Sequence, residues 1–216
     1  KKKKKKRLKK KKKKEGNIRP ILEQKNQKLC YDFLKEKIVK KEPLSMELVK
    51  EIHKVLTSAT YDERRIINKE RPGEFKKHNY ITGINKVGSA AEDVGKSLTK
   101  LIAEINGHNG QDILKAATYL HARFENIHPF ADGNGRVGRT LMNYYIMTHN
   151  HPPLIVYNED KALYYECLQK YDEIEELNPL YEFFKYETEK TWEKTLALAN
   201  GVKQKRKNLS DFNFSM

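Results

Sequence analysis

His128-Pro129-Phe130-Ala131-Asp132-Gly133-Asn134-Gly135-Arg136-Val137-Gly138-Arg139 is the stretch on which the reading of this chain turns. It sets an imidazole, a carboxylate, flexible glycines and two arginines within twelve residues. Gly133 and Gly135 let the backbone turn so that successive N–H groups point at one anion. Arg136 and Arg139 stand three apart, so a helix that starts here carries both on one face. The N-terminus of that helix adds partial positive charge at the same spot. Asp132 is a hard oxygen ligand, suited to a Mg²⁺ that also binds phosphate oxygens. His128 can accept a proton from an incoming hydroxyl near neutral pH. Together these groups can hold a polyphosphate and move a piece of it.

The same residues contain a decoy. Gly133 to Gly138 also reads G-x-G-x-x-G, the dinucleotide fingerprint, and Glu159 and Asp160 follow at about the distance of a ribose-binding acid. That fingerprint needs a buried apolar strand directly before its first glycine. Asn126-Ile127-His128-Pro129-Phe130 stands there instead, after a helical pattern, and the chain offers no series of strand–helix units.

The twelve residues resemble the signature of the Fic (Fic/Doc) family, H-x-F-x-[DE]-G-N-G-R-x-x-R, with every constrained position filled. The resemblance implies a protein adenylyltransferase: AMP moves from Mg-ATP to a hydroxyl of a target protein, and pyrophosphate leaves. It implies His128 as general base, Asp132 on Mg²⁺, and Gly133, Asn134 and Gly135 on the phosphates. Arg136 and Arg139 take the β- and γ-phosphates, and Phe130 anchors the loop in the core. The resemblance runs from about residue 15 to 155. It includes Pro43-Leu44-Ser45 with Glu47 before a helix carrying His53, and the Pro152-Pro153 pair after the signature helix.

Outside the signature the pattern is helical almost throughout. Ile18, Ile21, Leu22, Leu29, Phe33, Leu34 and Ile38 form one helix-like stripe. Leu48, Ile52 and Val55-Leu56 form a second behind Ser45, a capping residue. Further stripes cover 94–105, 113–127 and the signature through Ile146, where Pro152-Pro153 block continuation. Two more cover 161–174 and 179–199, with Trp192 expected in the core. The expected fold is all-α, a Fic-type bundle of about seven or eight helices. Its exception is Arg71 to Lys86, whose Pro72, Gly73, Gly83 and apolar residues suggest a short β-hairpin or loop. In the resemblance this is a flap that pairs with an extended segment of the target, with Phe75, Lys76 and Lys77 as candidate contacts.

The formal charge of +15 is concentrated in one place. Residues 1–14 hold twelve Lys and one Arg, so residues 15–216 carry +15 − 13 = +2. A segment of that charge density is expected to be a disordered tail or an artefact. Nucleic acid is therefore an expected partner only through this tail. The expected organisation is a tail over 1–14, one domain over 15–200 and a C-terminal tail over 201–216. Within the domain lie an N-terminal helix at 15–40, the flap at 71–86 and the catalytic loop at 128–139. No apolar run suggests a membrane span and no leader is evident, so a cytoplasmic protein is expected. Cys30 and Cys167 read as buried or idle thiols. A homodimer is compatible with the sequence.

Many family members carry an inhibitory helix with [ST]-x-x-x-E-[GN], whose glutamate blocks the γ-phosphate site. Glu15-Gly16-Asn17 resembles it, with Lys11 at the Ser/Thr position and Lys14 where an apolar residue is usual. The resemblance implies Glu15 as a brake on an enzyme that can also modify itself. Alternatives are removal of AMP with Glu15 positioning water, or a Doc-like kinase, although that subgroup has Lys where Gly135 stands.

Overall fold

Ser45 begins the first clearly capped helix: its side chain accepts the Leu48 N–H, and Leu48, Val49, Ile52 and Leu56 turn inward along the helix that follows. The structure, a computed structural model, describes residues 2–82 and 86–210, with side chains over 18–80 and 88–201. Its helices are α1 (Lys2–Val39), α2 (Met46–Leu56), α3 (Glu63–Ile67), α4 (Val94–Asn106), α5 (Ile113–Ile127), α6 (Asn134–Thr148), α7 (Lys161–Ile174) and α8 (Asn178–Ser210). The chain divides into two units, Lys1–His151 and Pro152–Met216, where the sequence suggested one domain over 15–200. Pro152 and Pro153 lie at the division, and neither has an N–H with which to extend a helix.

In the first unit α5 packs on α6 and α4, while α1 packs on α2 and α6. Leu120, Phe124, Leu141 and Tyr144 are fully buried in this core. Gly138 permits the close approach of α6 to α5. A Cβ there would lie 2.6 Å from Glu125 Oε1 and 3.0 Å from His121 Nδ1.

The stripe expected on α1 is rotated. Ile18, Ile21 and Leu29 are exposed, and Cys30, Leu34 and the polar Asn26 are buried. Asn26 explains the register: its amide donates to the carbonyls of Leu56 (3.3 Å) and Ser58 (2.8 Å) at the end of α2. Residues 19, 23, 26, 30 and 34 therefore share the inward face.

The five-residue α3, capped by Asp62, was not foreseen. The segment from Arg71 runs through turns to residue 80. It then forms a two-residue antiparallel ladder in which β1 (Ile81–Thr82) opposes β2 (Lys86–Val87).

In the second unit α7 packs on α8, with Tyr164 ringed by Phe183 at 6.0 Å and Phe184 at 6.4 Å. Trp192 is 45% exposed, a correction to its expected place in the core. Residues 2–14 of the lysine-rich segment and Glu15 lie on α1, but their side chains fall outside the described residues. Among the described residues no helix is long and apolar enough to cross a membrane.

Candidate active site

The site is built where α5 ends and α6 begins. His128 caps α5 in the left-handed region, with φ +51°, and its N–H donates to Phe124 O at 3.0 Å. A non-glycine residue held there costs about 1 kcal/mol, so the surroundings must fix it. Phe130, two residues on, is fully buried and stacks on His53 with ring centroids 3.7 Å apart. Gly133, with φ +83°, then turns the chain into α6. The Arg136 and Val137 N–H groups donate to Gly133 O at 3.1 and 3.0 Å, and the Asn134 and Gly135 amides before them have no carbonyl one turn back, which suits them to an anion.

Two buried side chains hold this loop. The Asn134 amide donates to Phe130 O at 2.7 Å, and its oxygen accepts the Phe130 N–H at 2.9 Å. Both polar atoms of the Asn134 side chain, which the resemblance places on phosphate, thus close the loop on itself. His53, which the sequence joined to no constellation, holds the other side. Its Nδ1 accepts the Gly73 N–H at 2.8 Å, which leaves the proton on Nε2 to donate to Asp132 O at 3.1 Å. Burial pushes its pKa down to about 4, so the ring stays neutral.

The two arginines fold back over the glycines. A Cβ on Gly133 would lie 3.3 Å from Arg136 Nη2, and one on Gly135 would lie 3.2 Å from Arg139 Nη1. Glycine at both positions is what lets the guanidiniums approach the loop. His128, Asp132, the Gly133–Gly135 loop, Arg136 and Arg139 all line one cleft of about 460 Å³. That volume is in the range of small-molecule sites.

Other residues reach the same cleft. Arg65 on α3 donates its Nε–H to Ala131 O at 3.3 Å, and the Tyr80 hydroxyl donates to the buried Glu70 at 2.8 Å. From α1 come Arg19 and Glu23, which the sequence reading missed. Arg19 bridges Asp132 Oδ2 at 2.6 Å and Glu23 at 2.8 Å, and Glu23 lies 3.4 Å from Arg136. A chain of alternating charge, Asp132–Arg19–Glu23–Arg136, thus crosses the cleft. Glu23 first, with Asp132, raises the Arg19 pKa and keeps the guanidinium charged. The available signal was the four-residue spacing of Arg19 and Glu23 on a helix.

Glu15 stands two turns before Glu23 on α1, about 12 Å along the axis. Of the three flap candidates, Lys77 is exposed and pairs with Glu74 at 2.9 Å. Phe75 packs on Phe130 with centroids 5.6 Å apart. Lys76 corrects its expectation: it is 2% exposed, and its Nζ has no hydrogen-bond partner among the described residues. Its backbone N–H donates to Pro129 O at 2.9 Å.

The donor set fits a Mg²⁺. Among the described residues no three His, Cys, Asp or Glu side chains cluster as a closed metal cage. Mg²⁺ in nucleotide sites needs only one or two carboxylates beside phosphate oxygens and water. Asp132 already accepts one cation, the guanidinium of Arg19, on Oδ2.

A helical bundle thus brings a strained histidine, an arginine-lined loop and a helix N-terminus to one cleft. Residues 43–146 match the model of the Fic/DOC family. It is 27% identical over 168 residues to a protein adenylyltransferase Fic of Drosophila persimilis, covering 76% of this chain and 31% of that one. The chain therefore spans about a third of the length of the curated relatives it matches. A Fic domain containing signaling protein from Bacteroides thetaiotaomicron has a similar fold, with TM-score 0.72, 22% identity and coverage of 85% of this chain and 74% of that one. Fic-1 from C. elegans gives TM-score 0.72 and 23% identity over 86% and 53% of the two chains.

Proposed function

We propose that this protein transfers AMP from ATP to a hydroxyl side chain of a target protein. The observation that carries the reading is the convergence of His128, Asp132, the α6 N-terminus and two arginines on one cleft. The phosphates of ATP lie against the Gly133–Gly135 amides. Arg136 and Arg139 neutralise the β- and γ-phosphates, to which guanidinium forks are matched. Asp132 holds a Mg²⁺, which when bound draws charge from the phosphate oxygens. The target docks along the 71–86 flap by strand addition, presenting its hydroxyl to the α-phosphate. A bond forms between that oxygen and the α-phosphorus as the bond to the pyrophosphate oxygen breaks. His128 takes the hydroxyl proton, and the arginines retain the leaving pyrophosphate.

The brake belongs to Glu23 rather than Glu15. Glu23 neutralises Arg136, while Arg19 occupies Asp132, so α1 covers both the anion and the cation positions of Mg-ATP. Glu23→Ala is expected to raise AMP transfer roughly tenfold, the equivalent of one charge-assisted contact, and Glu15→Ala is expected to leave it unchanged. The reverse pattern would return the brake to Glu15. Glu23 also supports a second reading, in which its carboxylate orients water for removal of AMP from a modified target.

His128→Ala separates binding from chemistry. Calorimetric affinity for Mg-ATP should stay within about twofold, while transfer falls by about 10²–10⁴-fold. Loss of ATP affinity in step with transfer would remove His128 from the role of base.

A further inference from the structure

The backbone on each side of His128 is tied to the flap. Ile127 O accepts the Ser89 N–H at 2.9 Å, and Pro129 O accepts the Lys76 N–H at 2.9 Å. The two bonds bracket the residue whose backbone is strained, and they come from the two stems of one excursion of chain. Between them, Gly88 approaches the corner more closely than any side chain could. A Cβ on Gly88 would lie 2.6 Å from His128 Cβ and 2.6 Å from Ile127 O. Neither atom can move aside by a change of rotamer, because one is backbone and the other is fixed to it.

We infer that the flap stems act as a splint for His128, with Gly88 as the positioning residue that lets the second stem reach it. The inference rests on His128 as the base, and it adds that the strand on which a target docks also sets the position of that base. Gly88 directly follows β2, so one peptide link joins the docking strand to the splint. The strained φ of His128 is thereby over-determined by hydrogen bonds from both sides.

Gly88→Ala tests this, because its φ lies outside the left-handed region and only the added methyl group matters. That methyl group must displace His128 by several tenths of an ångström. The expected result is a fall in kcat of about 10–100-fold, with affinity for Mg-ATP unchanged and the His128 ring resonances shifted in NMR spectra. Gly95→Ala is the control, since a Cβ there meets nothing within 4 Å, and it should alter none of these. An unchanged kcat together with unchanged His128 resonances in Gly88→Ala overturns the splint. Shifted resonances in a protein without AMP transfer, wild type included, would uphold the splint and sink the proposed activity instead. Should Gly88→Ala not fold, amide hydrogen exchange in the wild-type protein decides. Lys76 and Ser89 amides protected against exchange support the splint, and exchange at solvent rates refutes it.

Discussion

At the scale of residues, the site depends on side chains that never touch a substrate. His53 stacks on Phe130 and reads the loop backbone through Asp132 O, and it does so only as a neutral ring with its proton on Nε2. Its folded pKa of about 4 lies below the ordinary 6.5, and that of His121 falls to about 3, burial being the first cause in both. The unfolded chain therefore binds more protons than the folded one below pH 6.5, so stability rises with pH across this window. The contribution of both rings is fully present above pH 6.5 and is lost as pH falls toward 4 and then 3. Urea midpoints at pH 7 and pH 5 should show a loss of stability at pH 5 that His53→Gln reduces. A midpoint indifferent to pH over this range would mean that the rings are not held neutral. The signature residues were legible in the sequence because each has a chemistry that a short string displays. The Asn134 amide suits phosphate and backbone equally, and only the fold shows that Phe130 is within its reach.

At the scale of elements, hydrophobic periodicity located the major helices but not the rotation of α1. The count of apolar residues favoured Ile18, Ile21 and Leu29, yet the face turned inward is set by Asn26 and its two carbonyl partners. A buried polar anchor outweighs three exposed apolar side chains here, because an unpaired buried carbonyl costs more than a partly wetted isoleucine. That rotation is what brings Arg19 and Glu23 to the cleft, so an error in register hid two residues of the site. The α5–α6 contact gives a second test. Gly138→Ala gains about 1 kcal/mol of helix propensity but forces a methyl group against the buried His121 ring, at about 1–3 kcal/mol. The clash should win, lowering Tm by a few degrees. A raised Tm would show that α5 and α6 yield more readily than their spacing suggests.

At the scale of the whole molecule, charge and chemistry separate along the chain. Thirteen of the fifteen net positive charges reside in residues 1–14, away from the signature. A protein beginning at residue 15 should keep its affinity for Mg-ATP and lose salt-dependent binding to nucleic acid, because counterion release scales with the phosphates neutralised. Retained salt-dependent binding would place a basic surface within the remaining +2 charge. AMP transfer in the cleft can be read by incubating the Glu23→Ala protein with Mg²⁺, a pool of soluble acceptor protein and ATP labelled at either the α- or the γ-phosphate. Protein-bound label is expected from the α-position alone, and none when His128→Ala is added. Label from the γ-position, or α-label that survives His128→Ala, would contradict it.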